Sequence, residues 1–441
     1  MGWAMEELRG IDLGDRRLER RAVLLAERLA EKPLASIPGA CNGWAETQAA
    51  YRFFGQEEMD WRALLAPHTA CTLERMRPHR VVLCLQDTTE LDFNGQTIDG
   101  LGPLSYEAQR GIYLHPTYAV SPEREPLGVL DAWMWAREPK DEAGKRSGVV
   151  ESRRWLEGYE RVAEWATDVP HTRLVYVADR EGDILDLMQR ARDLGHPADW
   201  LVRSQHNRAL PEGAKLWPAV TAGAALGTIR FTLPARAGRK ARAVQQQVWV
   251  QSVTLGTRVN DRVVATCLVA QEVDAPAGVE PIEWRLLTNR TATTLEQAVE
   301  LIDWYRARWE IELLFHVFKN GCRVEALQLS TVDRIERALT LYLIVAWRIA
   351  RLMRLGRTCP DLAAELLFER EEWEAAYVLN KLPPPRHVPR LNAVIRLIAQ
   401  LGGFLGRKGD GEPGVKTIWQ GLQRVMDFAL GRRFARELQT E

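Results

Sequence analysis

Three carboxylic acids and one aromatic-basic helical run hold the residue types that could do chemistry in this chain. Asp87 follows the apolar run Val81-Val-Leu-Cys-Leu85, and Asp179 follows Leu174-Val-Tyr-Val-Ala178. Short apolar runs of this kind predict buried strands. If the two strands are parallel neighbours, both acids leave the sheet at one edge, where α/β folds place their sites. Glu312 lies much later, in a helical pattern expected over about 294–319. Thr293 with Glu296, or Thr294 with Gln297, opens that helix as a capping box, and Gly321 stops it. Converging carboxylates repel one another unless a cation joins them, and hard oxygen ligands suit Mg2+.

Each acid also has a local explanation. Asp87 and Asp179 can cap the turns that follow them, and Glu312 can pair with Arg308 one turn earlier. The helix adds a pattern that caps do not require. Tyr305, Arg308, Glu312 and Lys319 fall at i, i+3, i+7 and i+14, a stripe about 60° wide on a regular helix. A carboxylate there can hold a metal, while the guanidinium grips phosphate oxygens and the ammonium adds a point charge. The competing explanation is an exposed face of salt bridges.

The elements that must position these groups follow from pattern. The chain has 441 residues, 46% hydrophobic and 27% charged, which predicts a soluble globular protein of two to four domains. No apolar run is long enough to span a membrane, and no apolar signal core opens the chain. Six cysteines without paired spacing point away from a zinc ribbon or a disulfide framework and fit a reducing cytoplasm. Residues 1–70 read as helical, with Asp15 capping the run after it. Strands are expected at 81–85, near 112–120 and 127–135, and at 174–178 and 200–203, with helices at 149–165 and 184–192. Residues 207–290 alternate with period two and form a β-rich block. Helical segments follow to the end, punctuated by Pro383-Pro-Pro385 and Gly402-Gly403.

Net charge is zero, with 59 basic and 59 acidic residues, but the distribution is uneven. Residues 203–262 carry ten Lys/Arg against two acids, and residues 381–441 carry eleven against five. Local basic regions favour a polyanionic partner. Arg236, Arg239, Lys240 and Arg242 form the densest cluster, between two expected strands.

The run Tyr305-Arg-Ala-Arg308-Trp309-Glu-Ile-Glu312, with Lys319 seven residues on, resembles the Tyr-Arg-Glu-Lys signature of the insertion-sequence family numbered four. Its relatives include the cut-and-paste transposases of composite antibiotic-resistance transposons. Leu-Gln-Asp87-Thr-Thr and Val-Ala-Asp179-Arg-Glu-Gly-Asp-Ile resemble the family's first and second catalytic segments, and Leu201-Val-Arg-Ser204 follows as in the family. Leu13-Gly-Asp-Arg-Arg and Ala50-Tyr-Arg-Phe53 match its N-terminal DNA-binding region; Leu401-Gly-Gly-Phe404 and Trp419 match its C-terminal region.

The resemblance implies an α/β, ribonuclease H-like mixed sheet, interrupted by the β-rich block at 207–290. A helical DNA-end-binding domain (1–70) would precede the catalytic domain (71–358), and a helical dimerisation domain (359–441) would follow. Asp87, Asp179 and Glu312 would be a catalytic triad binding two Mg2+ ions, with Mn2+ as a substitute. Tyr305, Arg308 and Lys319 would contact phosphates near the cleaved end. Trp284 sits where the family has an indole stacked on a flipped base, and Trp309 lies inside the signature; each has a core-packing alternative. Arg17, Arg20, Arg52, Arg203 and the Arg236–Arg242 cluster are further expected DNA contacts. The expected partners are terminal inverted repeats, target DNA and a second copy of the chain in a synaptic complex. The expected setting is a bacterial cytoplasm, at the nucleoid when DNA is bound. The rival readings are a catalytically silent DNA-binding inhibitor or domesticated relative, and a metal-dependent nuclease without strand transfer.

Overall fold

The computed structural model describes residues 2–147, 150–233 and 241–440. One mixed sheet runs through the molecule. β1 (Val81–Gln86), β4 (Arg110–Val120) and β5 (Pro126–Trp135) form an antiparallel meander. β2 (Thr89–Asp92) and β3 (Gly102–Pro103) also pair with β4. On its other side β1 pairs in parallel with β6 (Arg173–Ala178), and β6 pairs in parallel with β7 (Asp199–Arg203). The helices Ser152–Trp165 and Leu185–Asp193 make the crossovers. This is the strand order of a ribonuclease H-like core, as the resemblance implied.

The β-rich block does not form a sheet of its own. β8 (Gly227–Leu233), β9 (Arg242–Leu255), β10 (Val263–Val273) and β11 (Glu283–Thr288) continue the same sheet outward, because β11 pairs with β7.

Apolar side chains of β1 alternate between two cores. Leu83 and Leu85 join the core shared with the N- and C-terminal helices, while Val82 and Cys84 face the crossover helices. That alternation is the period of a strand buried on both faces. The 27-residue helix Val332–Thr358 crosses the first core and is buried along most of its length. Its Arg337 bonds the carbonyls of Phe54, Glu57 and Met59, tying the N-terminal helices to it.

The N-terminal region holds the helices Trp3–Glu7, Arg16–Glu31, Ile37–Ala40, Trp44–Phe54 and Trp61–Met76. Asp15 caps the second of these by accepting the Arg17 N–H at 2.7 Å. The helix Trp61–Met76 runs through residue 70 and packs on β5, where Thr69 Oγ1 donates to the Leu130 carbonyl. Buried His68 and Arg75 of that helix both bind the Glu7 carboxylate. After the long helix come Arg370–Leu379, Leu391–Leu401 and Val415–Thr440, packed on one another.

The single helix expected over 294–319 is interrupted. It runs Leu295–Ala307, restarts as Trp309–His316, and widens into a π turn at Val317–Gly321. Arg308 has φ −52° and ψ −31°, 3₁₀ values, and its N–H bonds Tyr305 three residues back. Cys322 N–H reaches back five residues to Val317. The stripe computed for a regular helix therefore does not hold as far as Lys319.

Candidate active site

Register brings the first two acids together. Gln86 pairs with Ala178 at the ends of the parallel strands β1 and β6. The next residues, Asp87 and Asp179, therefore leave adjacent strands at the same level of the same edge. Asp179 accepts the Glu181 N–H at 2.8 Å and caps the short 3₁₀ turn Arg180–Gly182. Asp87 accepts the Thr88 N–H at 2.8 Å. Asp179 thus makes the local cap expected of it, while Asp87 bonds only the next N–H.

Arg308 joins the third acid to the first. Its guanidinium donates to Asp87 Oδ2 at 2.6 Å and to Glu312 Oε1 at 2.7 Å. The helix pairing of Arg308 with Glu312 is thus real, and it is half of a bridge to a residue 221 positions away. The guanidinium Nε is also buried and has no hydrogen-bond partner.

The electrostatics show a shortage of positive charge. Burial pushes the Asp87 carboxyl up to about 6; Asp179 and Glu312 push the same way, while Arg308 and the Thr88 N–H oppose them. Glu181, beside Asp179, is also raised, first by burial and then by Asp179 and Glu151. Three formal carboxylate charges face one guanidinium, which leaves the cluster two charges negative. A divalent cation supplies that difference, and three carboxylates are the oxygen donors it prefers. The donor set therefore fits a divalent cation. Among the described residues no three His, Cys, Asp or Glu side chains already stand in ligating arrangement. Arg308 stands between two of the donors.

The remaining expected site residues divide by position. Tyr305 is buried; burial raises its phenol, while Arg308 and Arg203 oppose that and Asp179 adds to it. Trp284, on β11, packs edge-on against Tyr305 with ring centroids 5.5 Å apart. Trp309 is 57% exposed beside the Arg308 guanidinium. Lys319, carried round by the π turn, donates to the Glu90 carbonyl at 2.6 Å and pairs with Glu325 at 3.2 Å. Arg17, Arg20 and Arg52 are exposed on N-terminal helices, with no ion pair among the described residues. Arg242 is committed to Glu272. Arg236, Arg239 and Lys240 lie outside the described residues.

Pattern reading missed a polar cluster behind Asp87. Gln86, Thr88, His115 and Thr117 are linked by hydrogen bonds on the face of the sheet away from Arg308. Burial lowers the His115 imidazole to about 3, with Arg154 adding to the effect. Single polar residues inside apolar strands are the only signal for this cluster in the sequence. Asp183, four residues after Asp179, is buried, pairs with Arg208 at 2.6 Å and accepts the Gln205 and His206 N–H groups.

Three family models match the chain. Transposase DNA-binding covers residues 1–59, Transposase DDE domain covers 156–348, and Transposase Tn5 dimerisation domain covers 344–441. The DDE match contains Asp179 and Glu312; Asp87 lies in the stretch between the first two matches. Among solved structures, a piggyBac transposase synaptic complex with hairpin DNA is similar at a TM-score of 0.41 and 8% identity, over 100% of this chain and 80% of that one.

Proposed function

Because the chain belongs to the DDE transposases, we propose that Asp87, Asp179 and Glu312 are the acids that hold its divalent cations. The protein is a DNA transposase with DNA-binding, catalytic and dimerisation regions, and DDE domains depend on metal. One observation carries the assignment of residues. Asp87 and Asp179 leave adjacent parallel strands in register, and Arg308 ties Asp87 to Glu312.

Two Mg2+ ions, when bound, would neutralise charge on the reacting phosphate and on the attacking and leaving oxygens. The chain's own groups do the rest. The turn after β6 aims Asp179, and Arg308 keeps Asp87 and Glu312 close to one another in the cation-free protein. Arg308 and Tyr305 beside it would contact phosphate oxygens near the cleaved end. Lys319 sits farther along, at Glu90 and Glu325, and would grip the backbone at a second phosphate. Trp284 and Trp309 flank this line and would stack on an unpaired base. Arg17, Arg20, Arg52 and Arg203, with the cluster from Arg236 to Arg242, would hold the flanking duplex.

The substrate of this reading is double-stranded DNA bearing terminal inverted repeats, held by two copies in a synaptic complex and joined to target DNA. The working units are residues 1–70, 71–358 and 359–441, in a bacterial cytoplasm. Excision through a hairpinned end belongs to the same proposal.

The test is cleavage of DNA carrying the inverted repeats that flank the gene, in Mg2+, with mobility shift as the binding control. Asp87→Asn, Asp179→Asn and Glu312→Gln should each lose cleavage and keep binding. Wild-type cleavage by any of the three overturns its assignment. Pre-cleaved ends test joining to target, and a nuclease alone would fail that step.

A further inference from the structure

We propose that His115 is a positioning residue for Asp87: one imidazole holds the side chains on both sides of that acid and so sets the direction in which its carboxylate leaves the sheet. The inference rests on the reading of Asp87 as a cation ligand.

The backbone explains why a side chain must do this. The β1–β4 ladder ends at Gln86 with Thr117, and the β2–β4 ladder begins at Thr89 with Leu114, in the same register. β1 and β2 are thus one strand interrupted at Asp87 and Thr88. Opposite the gap stand Pro116 and His115. Pro116 has no N–H to offer either neighbouring strand, so the ladder is weakest beside the acid.

Side chains bridge the gap. Gln86 Nε2 donates to Thr117 Oγ1 at 2.6 Å, which leaves its carbonyl Oε1 facing His115 at 2.7 Å. His115 must therefore donate from Nε2. Its Nδ1 is then the acceptor of a neutral ring, and Thr88 Oγ1 donates to it at 2.8 Å. Every member has one consistent role, which selects one tautomer. By strand alternation Gln86 and Thr88 point to one face of the sheet and Asp87 to the other, towards Arg308. Holding residues 86 and 88 on one face therefore sends residue 87 out of the other.

The surrounding packing is cut to this arrangement. His115 is fully buried and meets the Trp155 ring edge-on at 4.6 Å. Helix residue Gly158 leaves the space that Gln86 fills, since a Cβ there would stand 2.7 Å from Gln86 Oε1. A buried polar group is costly unless bonded, so the network also opposes slippage at the gap.

Misplacing a reacting group by about 1 Å costs on the order of a hundredfold in rate. Thr88→Val removes the hydroxyl and keeps the shape. His115→Phe keeps a ring without donor or acceptor, and His115→Gln restores one of each. Three quantities are measured on the full chain: kcat for end cleavage, end-DNA affinity by mobility shift, and Mg2+ affinity of the DNA-free protein by calorimetry. Thr88→Val and His115→Phe should lower kcat roughly tenfold to a hundredfold and weaken Mg2+ binding, with DNA affinity unchanged. His115→Gln should recover part of both losses. Wild-type kcat and Mg2+ affinity in Thr88→Val and His115→Phe, beside a dead Asp87→Asn, would overturn the positioning role and leave Asp87 assigned. Cleavage by Asp87→Asn would instead overturn the underlying reading. Equal losses of DNA affinity and cleavage would mark a general packing defect and also overturn the proposal. Thr88→Val keeps the test decisive if His115→Phe fails to fold.

Discussion

Replacing Arg308 by Gln should weaken the free protein, tighten its binding of Mg2+, and abolish DNA cleavage. The guanidinium makes two charge-assisted bonds, at 2.6 and 2.7 Å, and its own side chain is 9% exposed. Bonds of this kind each contribute about 1.5–3 kcal/mol when buried. The Glu312 side chain is 38% exposed, so its bond is screened and falls towards about 0.5–1 kcal/mol. Asp87 is 20% exposed, and its carboxyl already sits at about 6, so without Arg308 it takes up a proton more readily than it stays charged and alone. The net loss should be about 2 kcal/mol.

The same bonds oppose a cation, which must draw Asp87 and Glu312 away from the guanidinium. At a pH high enough to ionise Asp87 in the variant, Arg308→Gln should therefore bind Mg2+ tighter by about 2 kcal/mol, roughly thirtyfold. Calorimetric titration of Mg2+ into DNA-free protein reads this directly, and urea unfolding with and without Mg2+ checks it. Cleavage should still fail, because the variant lacks the guanidinium proposed to grip phosphate. Mg2+ binding that is unchanged or weaker in the variant refutes the competition between guanidinium and cation.

Other expectations concern parts of the chain outside that bridge. Burial alone would raise the Glu7 carboxyl, but His68 and Arg75 outweigh it and hold it at about 2. A depressed folded value stabilises above the unfolded one near 4.5, and the gain is lost as pH falls from there towards 2. Glu7→Gln should thus cost about 3 kcal/mol at pH 7 by denaturant unfolding, with the gap to wild type narrowing below pH 4.5; a gap independent of pH defeats the assignment. Trp309→Ala should leave stability within about 0.5 kcal/mol and weaken end-DNA binding or cleavage about tenfold, which a packing role would invert. Asp183→Ala should destabilise by about 3 kcal/mol through unpaired Arg208, while Asp179→Asn unfolds at the wild-type denaturant midpoint.

Most of the catalytic sheet is legible in local pattern. The runs ending at Leu85 and Ala178 are apolar on both faces, and that is what a central parallel strand requires. The placement of Asp87 and Asp179 is legible for the same reason, since an acid directly after such a run has one edge to occupy. The attachment of the β-rich block is not legible. Its alternation shows half-buried strands, but pairing of β11 with β7 depends on two segments about eighty residues apart. Nor does periodicity reveal that the helix Trp61–Met76 packs on β5 and so joins the helical N-terminus to the sheet.

The helix with Glu312 shows where periodic reasoning stops working at a site. A regular helix would put Tyr305, Arg308, Glu312 and Lys319 on one stripe, and each residue type suits a phosphate. The chain departs from regularity on both sides of Glu312, tighter at Arg308 and wider from Val317 to Gly321. The tight turn lets one guanidinium reach both a strand end and the following helical turn. The wide turn sends Lys319 to Glu325 and to the carbonyl of Glu90, three residues past Asp87. Neither departure follows from residue type, because Ala307, Arg308 and Trp309 are all acceptable in a helix interior. What decides the geometry is a set of partners distant in sequence: Asp87 for Arg308, Glu90 for Lys319, and the Trp419 ring packed against Gly321. The helix therefore bends to the site, and the spacing of its charged residues records only which of them could have met there.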